Sequence, residues 1–186
     1  MGKSNYSREY ILKMIVKYSE AEEAALTGGT SYKIGTRELV RAGISEIRKG
    51  MGIVFQNTGE QFFSGTVKEE LEYNIMKKHK IKNRKSEELS NRINEIAEIF
   101  EYDENFLMKS PFVLSGGEKK MLGLALAVCL EPEILLLDEP TGALDYNMTI
   151  KFMKIVEKMK KDGTTVLLVT HDENIVKQYS DYILKL

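Results

Sequence analysis

Two adjacent acidic residues follow a run of apolar residues in the segment ILLLDEP. An aspartate at the end of a buried strand, here Asp138, can hold Mg²⁺ beside a nucleotide, directly or through water. The next residue, Glu139, points to the other side of the strand and can polarise an attacking water. The alternative is a strand that ends in two solvated acids, because short motifs produce false matches.

A second candidate site lies in LSGGEKK, residues 114–120. Ser115 and Glu118 have the S-x-x-E spacing of a capping box, which predicts the start of a helix. Gly116 and Gly117 lower the stability of that helix, but they allow a ligand to approach its backbone closely. Because free N–H groups at a helix N-terminus attract anions, the segment indicates a site for a negative group such as a terminal phosphate.

The elements that must position these residues alternate along the C-terminal third of the chain. The runs ILLL and VLLV are continuously apolar, which is typical of strands buried on both faces of a parallel sheet. Alternating strands and helices predict a doubly wound α/β core with right-handed crossovers. Helices are predicted over residues 9–26, 37–48, about 117–130 and about 147–161, in pieces between 66 and 112, and after Asp172, and further strands over 31–34 and 51–55.

Polar residues follow the predicted strands at their carboxyl ends, where ligands bind in such sheets. Gln56 follows GIVF, and Thr170 and His171 follow VLLV. Each strand thus ends in a group that can interact with phosphate, Mg²⁺ or water. Any one of these residues alone would more often be structural, but their joint order indicates a phosphate site.

The composition excludes several classes of function. The chain has 186 residues, of which 42% are apolar and 30% charged, as in ordinary globular domains. Its 28 acidic residues balance 27 lysines and arginines, so no basic field predicts binding to nucleic acid. One cysteine, Cys129, cannot form an internal disulfide, and we expect a buried thiol in a reducing compartment. No apolar run is long enough to span a membrane.

Three segments together resemble the ATP-binding cassette (ABC) family: FQNTGEQFFSGTVKEEL, SPFVLSGGEKKMLGLALAVCLEPEILLLDEPTGALD and TTVLLVTHD. The first segment is similar to ATPase subunits of energy-coupling-factor transporters, which take up cobalt, nickel and vitamins. The resemblance covers about residues 28–186. It implies an α/β, P-loop NTPase-like fold, with a mostly parallel sheet, helices on both faces and N-terminal strands missing. The domain would be a single nucleotide-binding domain over 1–186, truncated at its N-terminus, with a helical subdomain at about 66–115.

The resemblance also implies roles for the residues at the strand ends. Gln56 would sense the metal and the γ-phosphate of ATP and would contact a membrane partner. Asp138 would support Mg²⁺, Glu139 would be the general base, and His171 would contact the γ-phosphate. The cofactors implied are therefore ATP and Mg²⁺.

Other matching residues imply partners. Ser115, Gly116 and Gly117 would form the signature that contacts ATP held by an opposite subunit, and Asp145 would lie in a loop across the dimer interface. The partners implied are a second ABC ATPase subunit, in a homo- or heterodimer, and an integral membrane transporter subunit on which the helical subdomain docks. The chain would be peripheral at the cytoplasmic face of the cell membrane, with no nucleic-acid partner.

The phosphate loop of the family, G-x-x-G-x-G-K-[ST]-[ST], is not intact in the opening stretch MGKSNYSREYILKMI. In one alignment Lys3 belongs to the end of the loop. In another, favoured by the helix pattern and the spacing, Gly2 is the first glycine of the loop, Arg8 replaces the lysine and Glu9 replaces the Mg²⁺-binding hydroxyl. In a third interpretation, residues 1–10 simply precede the helix of a truncated chain.

Several functions remain open at this point. The first is an ATP-binding subunit of an ABC transporter that couples Mg-ATP binding and hydrolysis to transport. The second is a non-hydrolytic partner subunit, or a truncated fragment, that lends its signature to the ATP site of another subunit. An export-type cassette is a further alternative, because TGALD also occurs in export systems. An ABC-type ATPase that acts on nucleic acid would need coiled-coil arms or a basic groove, and neither is visible in the sequence.

Overall fold

The computed structural model of the protein describes residues 50–56 and 58–183. Within these residues a parallel sheet has the strand order β1-β2-β3. The strands are β1 (Met51–Val54), β2 (Ile134–Asp138) and β3 (Thr165–Val169). The predicted elements at 9–26, 31–34 and 37–48, and the candidate residues Lys3 and Arg8, lie outside the described residues.

Short polar motifs determine where the helices begin. In each case the side chain of the residue before the helix accepts a backbone N–H of the first turn, which replaces a missing intrahelical hydrogen bond. The predicted capping box of Ser115 and Glu118 is confirmed, and Ser86 caps its helix through the N–H of Leu89. The helices are α1 (Val67–His79), α2 (Glu87–Phe100), α3 (Glu104–Leu107), α4 (Gly116–Cys129), α5 (Tyr146–Lys161) and α6 (Glu173–Tyr179), with 3₁₀ turns at Thr58–Gln61 and Pro111–Val113.

Helices α1, α2 and α3 fill the segment between β1 and α4, as the sequence predicts. Helix α1 packs against α2, α3 and α4, and α2 also packs against α4. The apolar residues of α2 form a stripe along one face of the helix, which is buried at Leu89, Ile93, Ile96 and Phe100. This unit therefore continues the hydrophobic core from the sheet into a helical layer.

Helix α4 is the centre of the described fold. It packs against β1, α1, α2 and α5, and its apolar residues are buried almost all round. At Gly123 a Cβ atom would lie 2.9 Å from Cγ2 of the buried Thr58, so glycine allows the turn after β1 to approach the helix. Cys129 is buried as predicted, and burial raises the pKa of its thiol to about 12.

The prediction that ILLL and VLLV are buried on both faces is wrong, because Ile134 and Leu136 on one face of β2 are only half-buried and β3 is less buried still. In β2, Leu135 and Leu137 are fully buried, whereas the apolar residues of β3 are only half-buried and Val169 is 59% exposed. The burial of β3 is lower because it is the edge strand of the described sheet, and among the described helices it packs mainly against α5.

After α6, Tyr182 and Ile183 lie outside regular structure. Among the described helices, none combines the length and the apolar character that a membrane span requires.

Candidate active site

The ends of β2 and β3 bring Glu139 and His171 together. Both strands run in the same direction, with Asp138 opposite Val169, so the residues that follow them lie at one edge of the sheet. Oε1 of Glu139 lies 3.0 Å from Nε2 of His171 and also accepts the backbone N–H of His171 at 3.0 Å. The Glu139 side chain is 14% exposed and that of His171 is 91% exposed. The pair therefore presents an accessible imidazole beside a sheltered carboxylate.

Glu139 has a backbone conformation that is unusual for its residue type. Its φ is +42°, in the left-handed region that costs most residues other than glycine roughly 1–2 kcal/mol. Its N–H donates to the carbonyl of Val169 at 2.9 Å, which ties it to the end of β3. Such strain at a strand end is typical of functional sites, where the surroundings hold a residue in place.

Thr170 supports Glu139 from the other side. Its hydroxyl donates to Oε2 of Glu139 at 3.3 Å and accepts the N–H of Asp172 at 3.1 Å. The carboxylate of Glu139 thus has partners on both oxygens, and both partners belong to the residues that directly follow β3. The sequence places Thr170 at a strand end but does not indicate that it contacts Glu139.

Asp138 is the last residue of β2, and Gln56 lies two residues after the end of β1. Both are exposed. The described residues contain no cluster of three or more histidine, cysteine, aspartate or glutamate side chains that could hold a metal ion. Mg²⁺ characteristically uses one or two carboxylates and completes its shell with phosphate oxygens and water. An exposed carboxylate at the end of β2 and an amide that follows β1, the strand paired with β2, fit that pattern of binding.

The signature residues lie at the exposed start of α4. Ser115 and Gly116 are exposed, and Gly117 is buried. A Cβ atom on Gly117 would lie 2.8 Å from Sδ of Met148 in α5, so this glycine has a packing reason that the sequence does not show. This packing reason stands beside the predicted approach of a ligand to the backbone of Gly116 and Gly117, which stays a prediction.

Asp145 caps α5 by accepting the N–H of Met148 at 2.8 Å. The loop that precedes it lies beside the signature, since a Cβ on Gly116 would be 3.6 Å from Cβ of Ala143. The structure thus brings the segment TGALD to the start of α4. Asp145 itself is exposed and its carboxylate serves a local structural role.

Lys120 is a site residue that the sequence analysis missed. It is 3% exposed, and its ammonium group donates to the carbonyls of Phe55 and Glu139. The available signal was its place on the buried face of α4, since Gly117 and Leu124 are buried three residues before and four residues after it. A charged residue on a buried helix face has a partner or a function.

The capping box predicts a pH-dependent stability. Hydrogen bonds from the Ser115 backbone and hydroxyl lower the pKa of Glu118 below 4.5. A lowered folded-state pKa contributes stability above the unfolded value that is lost as pH falls through the folded value. We expect Glu118→Gln to reduce the free energy of unfolding by up to about 1 kcal/mol at pH 7, with the difference closing below pH 4.5. Urea unfolding of both proteins across pH 3–7 measures this, and a constant difference would contradict it.

Comparison with known proteins now decides the family. The sequence profile of the family described as ABC transporter matches residues 2–142. The chain belongs to the ABC transporter family. The match covers most of the chain, including the first sequence segment, the signature and the end of β2, and it confirms the resemblance to this family, while the segment TTVLLVTHD lies beyond the matched residues.

Relatives of this ABC chain include energy-coupling factor transporter ATP-binding proteins. It is 36% identical over 137 residues to EcfA2 of Mesomycoplasma hyopneumoniae, covering 74% of this chain and 44% of that protein. It is 37% identical over 138 residues to EcfA of Methanocaldococcus jannaschii, covering 74% of this chain and 48% of that protein. The chain therefore spans about half the length of the curated relatives it matches.

Solved ABC cassettes share the fold. CbiO1 from Clostridium perfringens, part of the ABC transporter complex CbiONQ, aligns with a TM-score of 0.63 at 33% identity, over 76% of this chain and 55% of that one. A dimeric ATP-binding cassette in a post-hydrolysis state, bound to ADP and Pi, aligns with a TM-score of 0.59 at 33% identity, over 72% of this chain and 58% of that one. The predicted α/β fold of the P-loop NTPase type is confirmed.

Proposed function

We propose that this chain is an ATP-binding subunit of an ABC transporter, in which Mg-ATP binding and hydrolysis drive a membrane partner. The observation that carries the proposal is the pairing of Glu139 with His171 at the carboxyl ends of β2 and β3. Relatives named as energy-coupling factor transporter ATP-binding proteins support the proposal and favour that type of transporter.

The chemistry proposed for the strand ends is positioning and electrostatic stabilisation. Glu139 accepts a proton from the attacking water. The hydroxyl of Thr170 holds its carboxylate in position, and its backbone N–H is bonded to the carbonyl of Val169 at the end of β3. His171, with its exposed imidazole, contacts the γ-phosphate. Asp138 and Gln56 would hold Mg²⁺, which supplies positive charge to the phosphates when bound.

We further propose that the signature acts on ATP held by a second ABC subunit. Ser115 and Gly116 are exposed at the N-terminus of α4, where free N–H groups attract phosphate. Asp145 is exposed on the adjacent loop and would lie across the interface between subunits. The dimeric cassette with ADP and Pi among the structural relatives supports a dimer of this kind.

The membrane partner would dock on the helical subdomain, residues about 66–115, of a single nucleotide-binding domain over 1–186. Large apolar side chains are exposed on and beside this unit. Phe63 and Tyr73 form an edge-to-face pair with ring centroids 4.8 Å apart, and further exposed residues are Met108, Phe112 and Val113. Through that contact the chain would lie at the cytoplasmic face of the membrane.

A second candidate function is a non-hydrolytic partner that lends its signature to another subunit. The exposed position of Ser115 and Gly116 at the start of α4, beside the loop that carries Asp145, supports it. In this case Ser115, Gly116 and Asp145 act at the partner's ATP site, while Glu139 and His171 contribute little.

An ATPase assay separates the two functions. The chain is assayed with Mg-ATP alone and after mixing with an ABC subunit that carries a complete phosphate loop. Turnover by the chain alone supports the first function. Turnover that appears only on mixing, and that is lost when Ser115→Arg blocks the start of α4, supports the second. No turnover in either sample would contradict both.

A further inference from the structure

Lys120 connects two strand ends that are far apart in the sequence. Its Nζ donates to the carbonyl of Phe55 at 3.0 Å and to the carbonyl of Glu139 at 3.1 Å. Phe55 directly precedes Gln56, and Glu139 directly follows Asp138. One ammonium group thus holds together the backbone at the ends of β1 and β2, from a helix that begins with the signature.

The hydrogen bond from Lys120 to Glu139 reaches a residue whose backbone conformation is strained. Glu139 has a φ of +42°, and its N–H is held by Val169 at 2.9 Å. Lys120 holds the carbonyl of the same residue, so both polar backbone groups of Glu139 have fixed partners. A conformation of this kind persists only where the surroundings impose it. Lys120 therefore helps to determine where the Glu139 carboxylate points.

Burying this ammonium group is unfavourable in free energy, because the charge loses its contact with water. Packing alone therefore does not explain why a lysine lies at this position. Burial lowers the pKa of Lys120, and the charges of Asp138 and Glu139 partly oppose that change. The neighbouring buried positions of α4, such as Met121, Leu122 and Leu124, are apolar. An apolar residue would fill the position without desolvating a charge. What the lysine adds is its two hydrogen bonds to the carbonyls of Phe55 and Glu139.

We propose that Lys120 is a positioning residue, which links the signature helix to the strand ends that carry Gln56 and Glu139 and so sets the orientation of Glu139. The proposal rests on the proposed ATPase function for its effect on turnover. Its structural part, the fixing of both strand ends, stands independently of that function. Loss of Lys120 lowers kcat, because Glu139 acts in the chemical step, and leaves KM for ATP nearly unchanged.

The test compares Lys120→Met with Lys119→Met in the full chain. Methionine keeps the length of the side chain but donates no hydrogen bond, and Lys119, one residue away, is half-exposed. Amide hydrogen exchange is followed by NMR at Glu139 and His171, whose N–H groups bond Val169 and the Glu139 carboxylate. We expect at least tenfold faster exchange at both amides in Lys120→Met, with exchange in α2 unchanged, and wild-type exchange in Lys119→Met.

Kinetics supply the second readout. In Lys120→Met we expect kcat to fall at least tenfold with KM for ATP within about twofold of wild type, and Lys120→Arg to recover part of kcat because it keeps a cationic donor. Unchanged exchange at Glu139 and His171, or a uniform rise throughout the chain, would overturn the proposal. If the wild-type chain hydrolyses no ATP, the proposed function fails, while the exchange result still decides the role of Lys120.

A variant that does not fold is replaced by a milder one. Should Lys120→Met not fold, Lys120→Gln is measured in its place, since its amide keeps a donor of shorter reach. We expect exchange at Glu139 and His171 to rise at least threefold in Lys120→Gln. Wild-type exchange there would overturn the proposal.

Discussion

Replacing Glu139 with glutamine is expected to reduce ATP turnover by about 10²–10⁴-fold, which is the contribution typical of a general base. Glutamine has the size of glutamate but cannot take a proton from water at neutral pH. Its carbonyl oxygen can still accept the N–H of His171, which bonds Oε1 of Glu139 at 3.0 Å. We therefore expect the free energy of unfolding to change by about 1 kcal/mol or less.

The matched control is Glu133→Gln. Glu133 is exposed and directly precedes Ile134, at the opposite end of β2. The substitution at Glu133 is chemically the same but lies far from the strand ends that carry the site. We therefore expect wild-type turnover in this control. Steady-state phosphate release under saturating Mg-ATP measures both variants. Turnover within threefold of wild type in Glu139→Gln would mean that Glu139 is not the base.

Removing the buried carboxylate of Glu70 is expected to give the largest loss of stability among the polar substitutions considered. Glu70 is completely buried in α1, and its Oε1 accepts the N–H of Phe63 at 2.5 Å and of Ser64 at 2.7 Å. In this way it holds the loop that runs from Gln56 to the start of α1. The other oxygen, Oε2, has no hydrogen-bond partner among the described residues.

Glu70→Ala leaves two backbone donors without their acceptor and opens a cavity. We expect the free energy of unfolding to fall by about 2–4 kcal/mol. Glu70→Gln keeps an acceptor for both donors, and we expect it to lose about 1–2 kcal/mol. Urea denaturation followed by far-UV circular dichroism measures both changes.

Glu95→Ala is the control for Glu70→Ala. Glu95 lies on the exposed side of α2, so the same truncation removes no buried contact. We expect its stability to stay within about 0.5 kcal/mol of wild type. If Glu70→Ala were as stable as Glu95→Ala, the carboxylate would not be holding the loop after Gln56.

The features that sequence predicts well are those with local causes. Ser86, Ser115 and Asp172 cap the helices that follow them, because the capping bond spans only two or three residues. The placement of Glu139 and His171 at one edge of the sheet follows from a general property of parallel sheets, whose carboxyl ends meet there. These inferences need no knowledge of distant neighbours.

The features that sequence misses depend on distant partners. Lys120 acts on carbonyls 65 and 19 residues away along the chain. Gly117 packs closely against Met148 in α5, and no pattern in LSGGEKK reveals that contact. The exposure of β3 depends on which elements cover it, and not on the composition of VLLV. Tertiary packing determines all three, so local patterns could not predict them.

The measurement that tests the central claim most directly is a titration of the 186-residue chain with Mg-ATP, using Glu139→Gln to prevent turnover. The account predicts binding in the micromolar range usual for enzyme substrates. We expect Arg8→Ala to weaken this binding at least tenfold and Lys3→Ala to leave it nearly unchanged, because Arg8 replaces the lysine of the phosphate loop in the favoured alignment. Loss of binding in Lys3→Ala alone would reverse that alignment. Absence of binding at millimolar Mg-ATP would contradict the claim that the chain is an ATP-binding subunit.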